Sequence, residues 1–143
     1  EIEGREDGAP PPVDLSAERK NGDLVRSLIE AGRVTACHDV SDGGIAVALA
    51  DMAIAGNMGA ETDIPGDAPG DIARLFGEDQ ARYILATDDP DAVLAAAEKA
   101  GVSARVLGRT GGQRLTVGDT IAISVSELRS LHENWLPDYM AGP

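Results

Sequence analysis

His38-Asp39-Val40-Ser41-Asp42-Gly43-Gly44 is the stretch on which the reading of this 143-residue chain turns. Before it, Val34-Thr35-Ala36-Cys37 is a run of small and β-branched residues, which predicts a strand over 34–37. After it, Ile45 to Ala55 is apolar at every position but Asp51, which predicts a helix buried nearly all round. The seven residues are therefore the bend of a strand–turn–helix joint, and they carry two carboxylates, a hydroxyl, an imidazole and two glycines. Such a bend aims backbone N–H groups at whatever lies in front of the helix, which favours a phosphate or a carboxylate. Paired glycines also let a ligand come close to the backbone. An architectural reading stands beside this one: Asp42 or Ser41 caps the helix, Asp39 bonds a turn amide, and Gly43-Gly44 permits tight packing. Two acids at the bend would repel a bare phosphate unless Mg²⁺ lay between them.

Working outward, residues 1–13 are charged and then Gly- and Pro-rich, and are read as a linker or extended segment with a stiff Pro10-Pro11-Pro12. Residues 14–143 read as a single domain. Leu24, Val25, Leu28 and Ile29 give a helical stripe from Asp14 or Ser16 to Gly32, with Arg19, Lys20 and Arg26 on the wet face. Beyond the joint the pattern predicts a strand from Met58 to Ile64, closing a β-α-β unit, then a loop over 65–70. A short helix from Asp71 to Phe76 and a strand from Ala81 to Thr87 follow. Asp89-Pro90 signals a helix start, and Asp91 to Ala100 is the helix, stopped by Gly101. Ala104 to Gly108 reads as a strand. Gly111-Gly112 reads as a hairpin turn into Gln113–Val117, and Gly118-Asp119 as a second turn into Thr120–Val125. Ser126 is placed as the cap of a last helix whose Leu128, Leu131 and Trp135 share a face and which Pro137 ends. Helices alternating with strands, with a meander at the end, predict an α+β fold: layered α/β/α with a mixed sheet, partly ferredoxin-like.

Composition narrows the function. Twenty-five acidic against 12 basic residues give a formal charge of −13, which excludes a basic nucleic-acid footprint. A polyphosphate ligand would have to arrive with Mg²⁺ or meet basic groups from elsewhere. The single Cys37 excludes an internal disulfide and fits a reducing cytoplasm. No signal-peptide pattern occurs and the longest apolar run is too short to cross a bilayer, so no membrane partner is expected. Aromatics are only 3% of the chain, so the core must be built from Ala, Val, Leu and Ile.

Cys37 and His38 are adjacent, but neighbouring strand residues face opposite ways, so they do not read as a nucleophile and its base. Cys37 is placed as a small core residue and His38 as a structural residue at a strand end. Two histidines and one cysteine show none of the zinc spacings, and the chain has no Walker-type loop or nucleophile elbow. A second polar cluster, Glu78-Asp79-Gln80 with Arg82, precedes the strand 81–87. It suits Mg²⁺ or a polar ligand at a strand mouth, or else a charged loop with its own Asp–Arg pair. Asp39, Asp42, Glu78 and Asp79 are the available Mg²⁺ carboxylates, and spacing leaves open whether any pair converges.

The run from His38 to Ala50 closely resembles a motif in the synthetase subunit of the phosphoribosylformylglycinamidine synthase family of purine biosynthesis. Pro11-Pro12-Val13-Asp14-Leu15, Phe76-Gly77-Glu78-Asp79-Gln80-Ala81-Arg82-Tyr83 and Asn134-Trp135-Leu136-Pro137-Asp138-Tyr139-Met140 resemble the same family in the same order. The resemblance is to the family's last domain, which implies a C-terminal piece of a longer chain. It implies an ATP- and Mg²⁺-dependent cytoplasmic ligase that converts formylglycinamide ribonucleotide to its amidine. The oxygen of the amide is activated by ATP and displaced by glutamine-derived ammonia, a reaction in which positioning and charge neutralisation dominate.

The family's catalytic histidine and most of its ATP and Mg²⁺ ligands lie in other domains, so no catalytic residue is carried onto this chain. What the resemblance implies here is ligand contact or cleft architecture for His38, Asp39, Ser41, Asp42, Gly43, Gly44, Glu78, Asp79, Gln80 and Arg82, facing a neighbouring domain. Because the family repeats its domain pair, the site is either catalytic or a structural nucleotide site. The implied partners are the N-terminal domains of the same chain, a separate glutaminase and a small accessory subunit. The isolated 143 residues are expected to fold but not to turn over.

Other readings are a sister synthetase (aminoimidazole ribonucleotide synthetase, selenophosphate synthetase, thiamine-phosphate kinase or a hydrogenase maturation factor), a non-catalytic ferredoxin-like metabolite-binding module, and an interface-forming piece. The stretches 76–83 and 135–140 argue against the sister enzymes.

Overall fold

Asp14 opens the first helix, α1 (Leu15–Glu30), by accepting the N–H groups of Ser16 at 2.9 Å and Ala17 at 3.0 Å. Val25 and Leu28 turn inward, while Arg19, Lys20 and Arg26 stay exposed as expected. The structure is a computed structural model that describes residues 12–64, 69–118 and 121–142. Most of the expected linker, part of the loop over 65–70 and part of the second turn, at Asp119-Thr120, lie outside the described residues.

The strand β1 (Ala36–Asp39) begins two residues later than predicted, and α2 (Gly44–Gly56) follows the joint. Then come β2 (Ala60–Thr62), α3 (Pro69–Phe76), β3 (Tyr83–Ala86) and α4 (Pro90–Ala100). Asp89 caps α4 by accepting the N–H of Ala92 at 3.1 Å, and Gly101 ends it in a left-handed conformation, both as the sequence predicts. The chain closes with β4 (Gly108–Thr110), β5 (Arg114–Val117), β6 (Ile121–Ser124) and α5 (Val125–Ala141).

β1 and β3 form an antiparallel pair, and the other strands form a mixed sheet in the order β4-β2-β5-β6. Within it β2 and β5 are parallel and the remaining pairs antiparallel. α2 packs against both sheets as well as against α3 and α5. Its Ala48 and Leu49 meet Ile84 from one sheet and Leu115 and Val117 from the other in a single core cluster. Each such Leu or Ile, fully buried, contributes about 1.5–3 kcal/mol. The result is an α+β fold with a mixed sheet, the predicted class.

Six local expectations are corrected. β1 and β2 lie in separate sheets, so β1-α2-β2 is not a closed parallel unit. Gly111-Gly112 does not make a hairpin, because β4 and β5 flank β2 on opposite sides. Ala60 pairs with both Thr110 and Leu115, and the loop arches over Gly59, which bonds Gly112 at 3.0 Å and Gly111 at 2.8 Å. Correspondingly, β4 starts at Gly108 and 104–106 are exposed and outside any ladder.

Ser124, not Ser126, caps α5, accepting the N–H of Glu127 at 3.1 Å. Pro137 sits inside α5 without ending it, and the carbonyl it frees one turn earlier lies on a stretch exposed to solvent. Cys37 is exposed, not core: α2 covers the face of β1 that carries His38, and alternation puts the thiol on the other face.

Candidate functional site

The two polar clusters meet. The backbone N–H of Gly43 donates to Glu78 Oε1 at 3.0 Å, bridging 35 residues of sequence. Gly43, at φ +78°, is the N-cap of α2 and has no side-chain cap of its own, so neither Ser41 nor Asp42 performs the capping role open to them. Glu78 places a carboxylate at the positive end of the helix instead, which is where an anion is stabilised. The N–H of Gly44 donates to the carbonyl of Ser41 at 3.0 Å. Both glycine amides of the bend therefore have partners inside the chain, and Glu78 stands at the helix end that one of the two sequence readings leaves for an anionic ligand.

Gly44 explains why the second glycine is needed. A Cβ there would stand 2.6 Å from the Leu75 carbonyl oxygen and 2.8 Å from that of Gly77, at the end of α3. The loop after α3 is braced by Arg82, whose guanidinium donates to the carbonyl of Asp79 at 3.0 Å and to that of Gly77. The Asp79 carboxylate lies 3.8 Å from the same guanidinium. The Asp–Arg pair expected under the architectural alternative is thus present and holds the loop against the joint.

Arg82 also lines a groove of about 190 Å³, together with Glu18, Asp39, Val40, Ser41, Gln80, Ala81 and Tyr83. Four of the sequence candidates, Asp39, Ser41, Gln80 and Arg82, line it together. His38, Asp42, Gly43, Gly44, Glu78 and Asp79 are not among its lining residues. His38 faces α2: Nδ1 donates to the Asp39 carbonyl, and Nε2 lies 3.8 Å from the Asp51 carboxylate. That matches the structural role expected for it. The Cys37 thiol is pushed above its usual pKa, first by partial burial and then by the Asp39 charge, so it stays protonated and weakly nucleophilic at neutral pH.

Sequence reasoning missed the contribution of α1. Glu18 lines the groove, and Asn21 donates from its side-chain amide to the Ala81 carbonyl at 2.8 Å. Ala81 has φ +63°, a conformation that costs a non-glycine residue about 1–2 kcal/mol and persists where surrounding contacts impose it. Asn21 and the bond from Val40 N–H to the Arg82 carbonyl, at 2.9 Å, are those contacts. No local pattern marks an asparagine 60 residues away as the holder of this turn. Among the described residues no group of three or more His, Cys, Asp or Glu is placed to hold a metal ion.

Comparison with known proteins fits this arrangement into a family. The family described as AIR synthase related protein, C-terminal domain, matches residues 1–120. The chain belongs to that family. Within it, the chain is 62% identical over 144 residues to the phosphoribosylformylglycinamidine synthase subunit PurL of Rhodospirillum rubrum, covering 99% of this chain and 19% of that one. It is 53% identical to PurL of Caulobacter vibrioides over 143 residues, covering 100% of this chain and again 19% of the relative. The chain thus spans about a fifth of the length of these curated relatives.

Among solved structures, Thermotoga maritima PurL complexed with FGAR superposes with a TM-score of 0.71 at 21% identity, over 88% of this chain and 23% of that chain. The same protein complexed with ATP gives 0.70 at 22%, over 85% and 23%. At that identity the likeness establishes the fold of this C-terminal-domain family member.

The Glu78 cap has a measurable consequence. Glu78→Ala is expected to lower unfolding stability by about 1 kcal/mol in urea denaturation, because Gly43 N–H loses its acceptor. Glu78→Gln keeps a carbonyl acceptor and is expected to lose less than half of that. Equal losses would mean that charge at the helix end, not the hydrogen bond, carries the effect.

Proposed function

We propose that residues 14–143 are the C-terminal domain of a phosphoribosylformylglycinamidine synthase, joined through residues 1–13 to the rest of a longer enzyme. The observation that carries this reading is 53–62% identity with PurL subunits along alignments that span practically the whole chain. The reaction is the ATP-dependent amidation of formylglycinamide ribonucleotide: the amide oxygen leaves as phosphate and an ammonia nitrogen derived from glutamine replaces it. Glutamine would be hydrolysed by a separate glutaminase subunit, with a small accessory subunit completing the assembly. A structure of PurLQS from Thermotoga maritima, similar in fold, supports that composition. No described helix is long and apolar enough to cross a membrane, and a cytoplasmic location fits the reading.

The ten candidate residues divide into two roles. Asp39, Ser41, Gln80 and Arg82 contact ligand across the groove, with a hydroxyl, an amide and a guanidinium as donors and carboxylates from Asp39 and Glu18 as acceptors. His38, Asp42, Gly43, Gly44, Glu78 and Asp79 hold the architecture of the cleft. Among the described residues no three His, Cys, Asp or Glu side chains are placed to hold a metal ion together. Mg²⁺ would therefore be held by nucleotide phosphates and by ligands from other domains. The domain alone is inert because the acid–base and phosphate-binding groups lie elsewhere.

The test is steady-state amidation of formylglycinamide ribonucleotide by the full-length polypeptide, with ammonia as nitrogen donor. Turnover is expected, and Gln80→Ala should raise KM for the ribonucleotide or ATP about tenfold, the loss of roughly one hydrogen bond to a ligand. A well-folded full-length chain that releases phosphate from ATP without forming the amidine would overturn the reading.

A further inference from the structure

One face of α1 is given over to the groove. Glu18, Asn21 and Gly22 stand at i, i+3 and i+4 spacing and are half-buried, while Arg19, Lys20 and Asp23 are exposed. Glu18 lines the groove, Asn21 donates to the Ala81 carbonyl at 2.8 Å, and a Cβ at Gly22 would stand 3.5 Å from the Tyr83 hydroxyl oxygen. The helix is a firm base for these contacts. Val25 and Leu28 are buried, and Lys20 donates to the Gly101 carbonyl at 2.5 Å, at the end of α4.

Ala81 is the point on which this base acts. Among the described residues, Ala81 and Asn57 are the non-glycine residues with positive φ. Asn57 ends α2, where a left-handed residue is usual and asparagine tolerates it. Ala81 has no such local reason, and an alanine released from restraint returns to negative φ. Its two neighbours, Gln80 and Arg82, both line the groove, so a change of φ at Ala81 swings one against the other. The Arg82 side is tied to β1 by the Val40 N–H and to the loop after α3 by its own guanidinium. The Ala81 carbonyl is tied to α1 by Asn21.

We propose that Asn21 is the positioning residue of the groove: by holding Ala81 left-handed, it sets Gln80 and Arg82 in the arrangement that binds ligand. The inference rests on the reading of the groove as a ligand-contacting part of the synthetase. Asn21 is not among the lining residues, so its influence runs through the turn. Affinity then scales with the fraction of chains whose turn is correctly formed. Without the Asn21 bond, the aversion of alanine to positive φ lowers that fraction to about a tenth.

Titration of the full-length polypeptide with Mg²⁺–ATP and with formylglycinamide ribonucleotide tests this. Asn21→Ala is expected to raise, about tenfold, the Kd of the same ligand that Gln80→Ala weakens. Adding Ala81→Gly to Asn21→Ala is expected to bring that Kd back to within about threefold of wild type, because glycine adopts positive and negative φ about equally. Exchange of the Val40 amide, which donates to the Arg82 carbonyl, reads the turn without ligand. It is expected to quicken about tenfold in Asn21→Ala while the amides of β5 and β6 stay protected, which separates a loosened turn from unfolding. An unchanged Kd or an unchanged Val40 exchange rate would overturn the proposal. So would a loss of affinity that Ala81→Gly fails to rescue, since direct contact with ligand does not depend on the torsion of Ala81. A wild-type chain that binds neither ligand, or a Gln80→Ala variant that binds both as well as wild type, would remove the groove reading and the proposal with it. Binding without amidation would sink the enzymatic reading alone and leave the role of Asn21 standing.

Discussion

Gly44→Ala is expected to cost roughly 3–5 kcal/mol of stability, enough to leave much of a marginal domain unfolded at 37 °C. Two effects add. Gly44 sits at φ +69°, where a Cβ costs about 1–2 kcal/mol. The new methyl would also stand 2.6 Å from the carbonyl oxygen of Leu75 and 2.8 Å from that of Gly77. Those are backbone atoms, so the clash is relieved only by moving the end of α3 away from the start of α2, which opens the core around Leu75 and breaks the Glu78–Gly43 bond. The comparison that makes the measurement informative is Gly43→Ala. There φ is +78° and the obstacle is the half-exposed Val47, with Cγ2 at 2.4 Å and Cβ at 2.9 Å; rotation clears only the methyl group, so about 2–3 kcal/mol is expected, still less than where backbone of α3 stands in the way. Urea denaturation of both variants decides between the two effects. Equal losses would mean that backbone torsion, and not the approach of α3, makes the glycine pair necessary.

The second large effect is expected at Gly59→Ala, about 3 kcal/mol or more. A Cβ there would fall 2.0 Å from the carbonyl oxygen of Arg114 and 2.6 Å from its nitrogen, in the ladder that joins β2 to β5. Gly59 also holds the arch between β4 and β5 through its two bonds to Gly111 and Gly112. Displacing it separates β2 from both neighbours, and the buried pair Leu115 and Val117 loses its support. Gly112→Ala is the control: nothing lies within 4 Å of its Cβ, and only its φ of +66° is penalised, by about 1 kcal/mol. Thermal unfolding, together with loss of amide protection over 60–62 and 114–117, reads the outcome. A Gly59→Ala variant with unchanged midpoint would show that the sheet tolerates a shift of β5 that its register does not suggest.

Much of the joint and the groove is legible in the sequence. Asp39, Ser41, Gln80 and Arg82 stand out because polar residues at a strand mouth or a strand–helix bend are visible in a short window. Glu18, Asn21 and the strained Ala81 do not, since α1 reaches the groove through the tertiary fold and its own periodicity reads only as an amphipathic helix. The roles inside the joint also differ from those the local pattern suggests. The helix cap expected from Ser41 or Asp42 comes from Glu78, 35 residues away, because two glycines in left-handed conformations turn the bend toward α3.

By itself, the sequence determined where the helices lie and the ends of two of them: Asp14 capping α1, Asp89-Pro90 starting α4 and Gly101 ending it, with the apolar α2 at the centre. Each of these depends on contacts within about four residues, so the information is local. Tertiary structure alone decided which strands pair and which side chains are covered. β2 inserts between β4 and β5, Cys37 lies on an uncovered face, and the apolar stripe of α5 runs off the core into solvent. A strand's pattern says which face is apolar but not which distant strand will satisfy its N–H and C=O groups. That choice is made by long-range packing, here by Gly59 admitting the backbone of Arg114 and by α2 holding both sheets to one core.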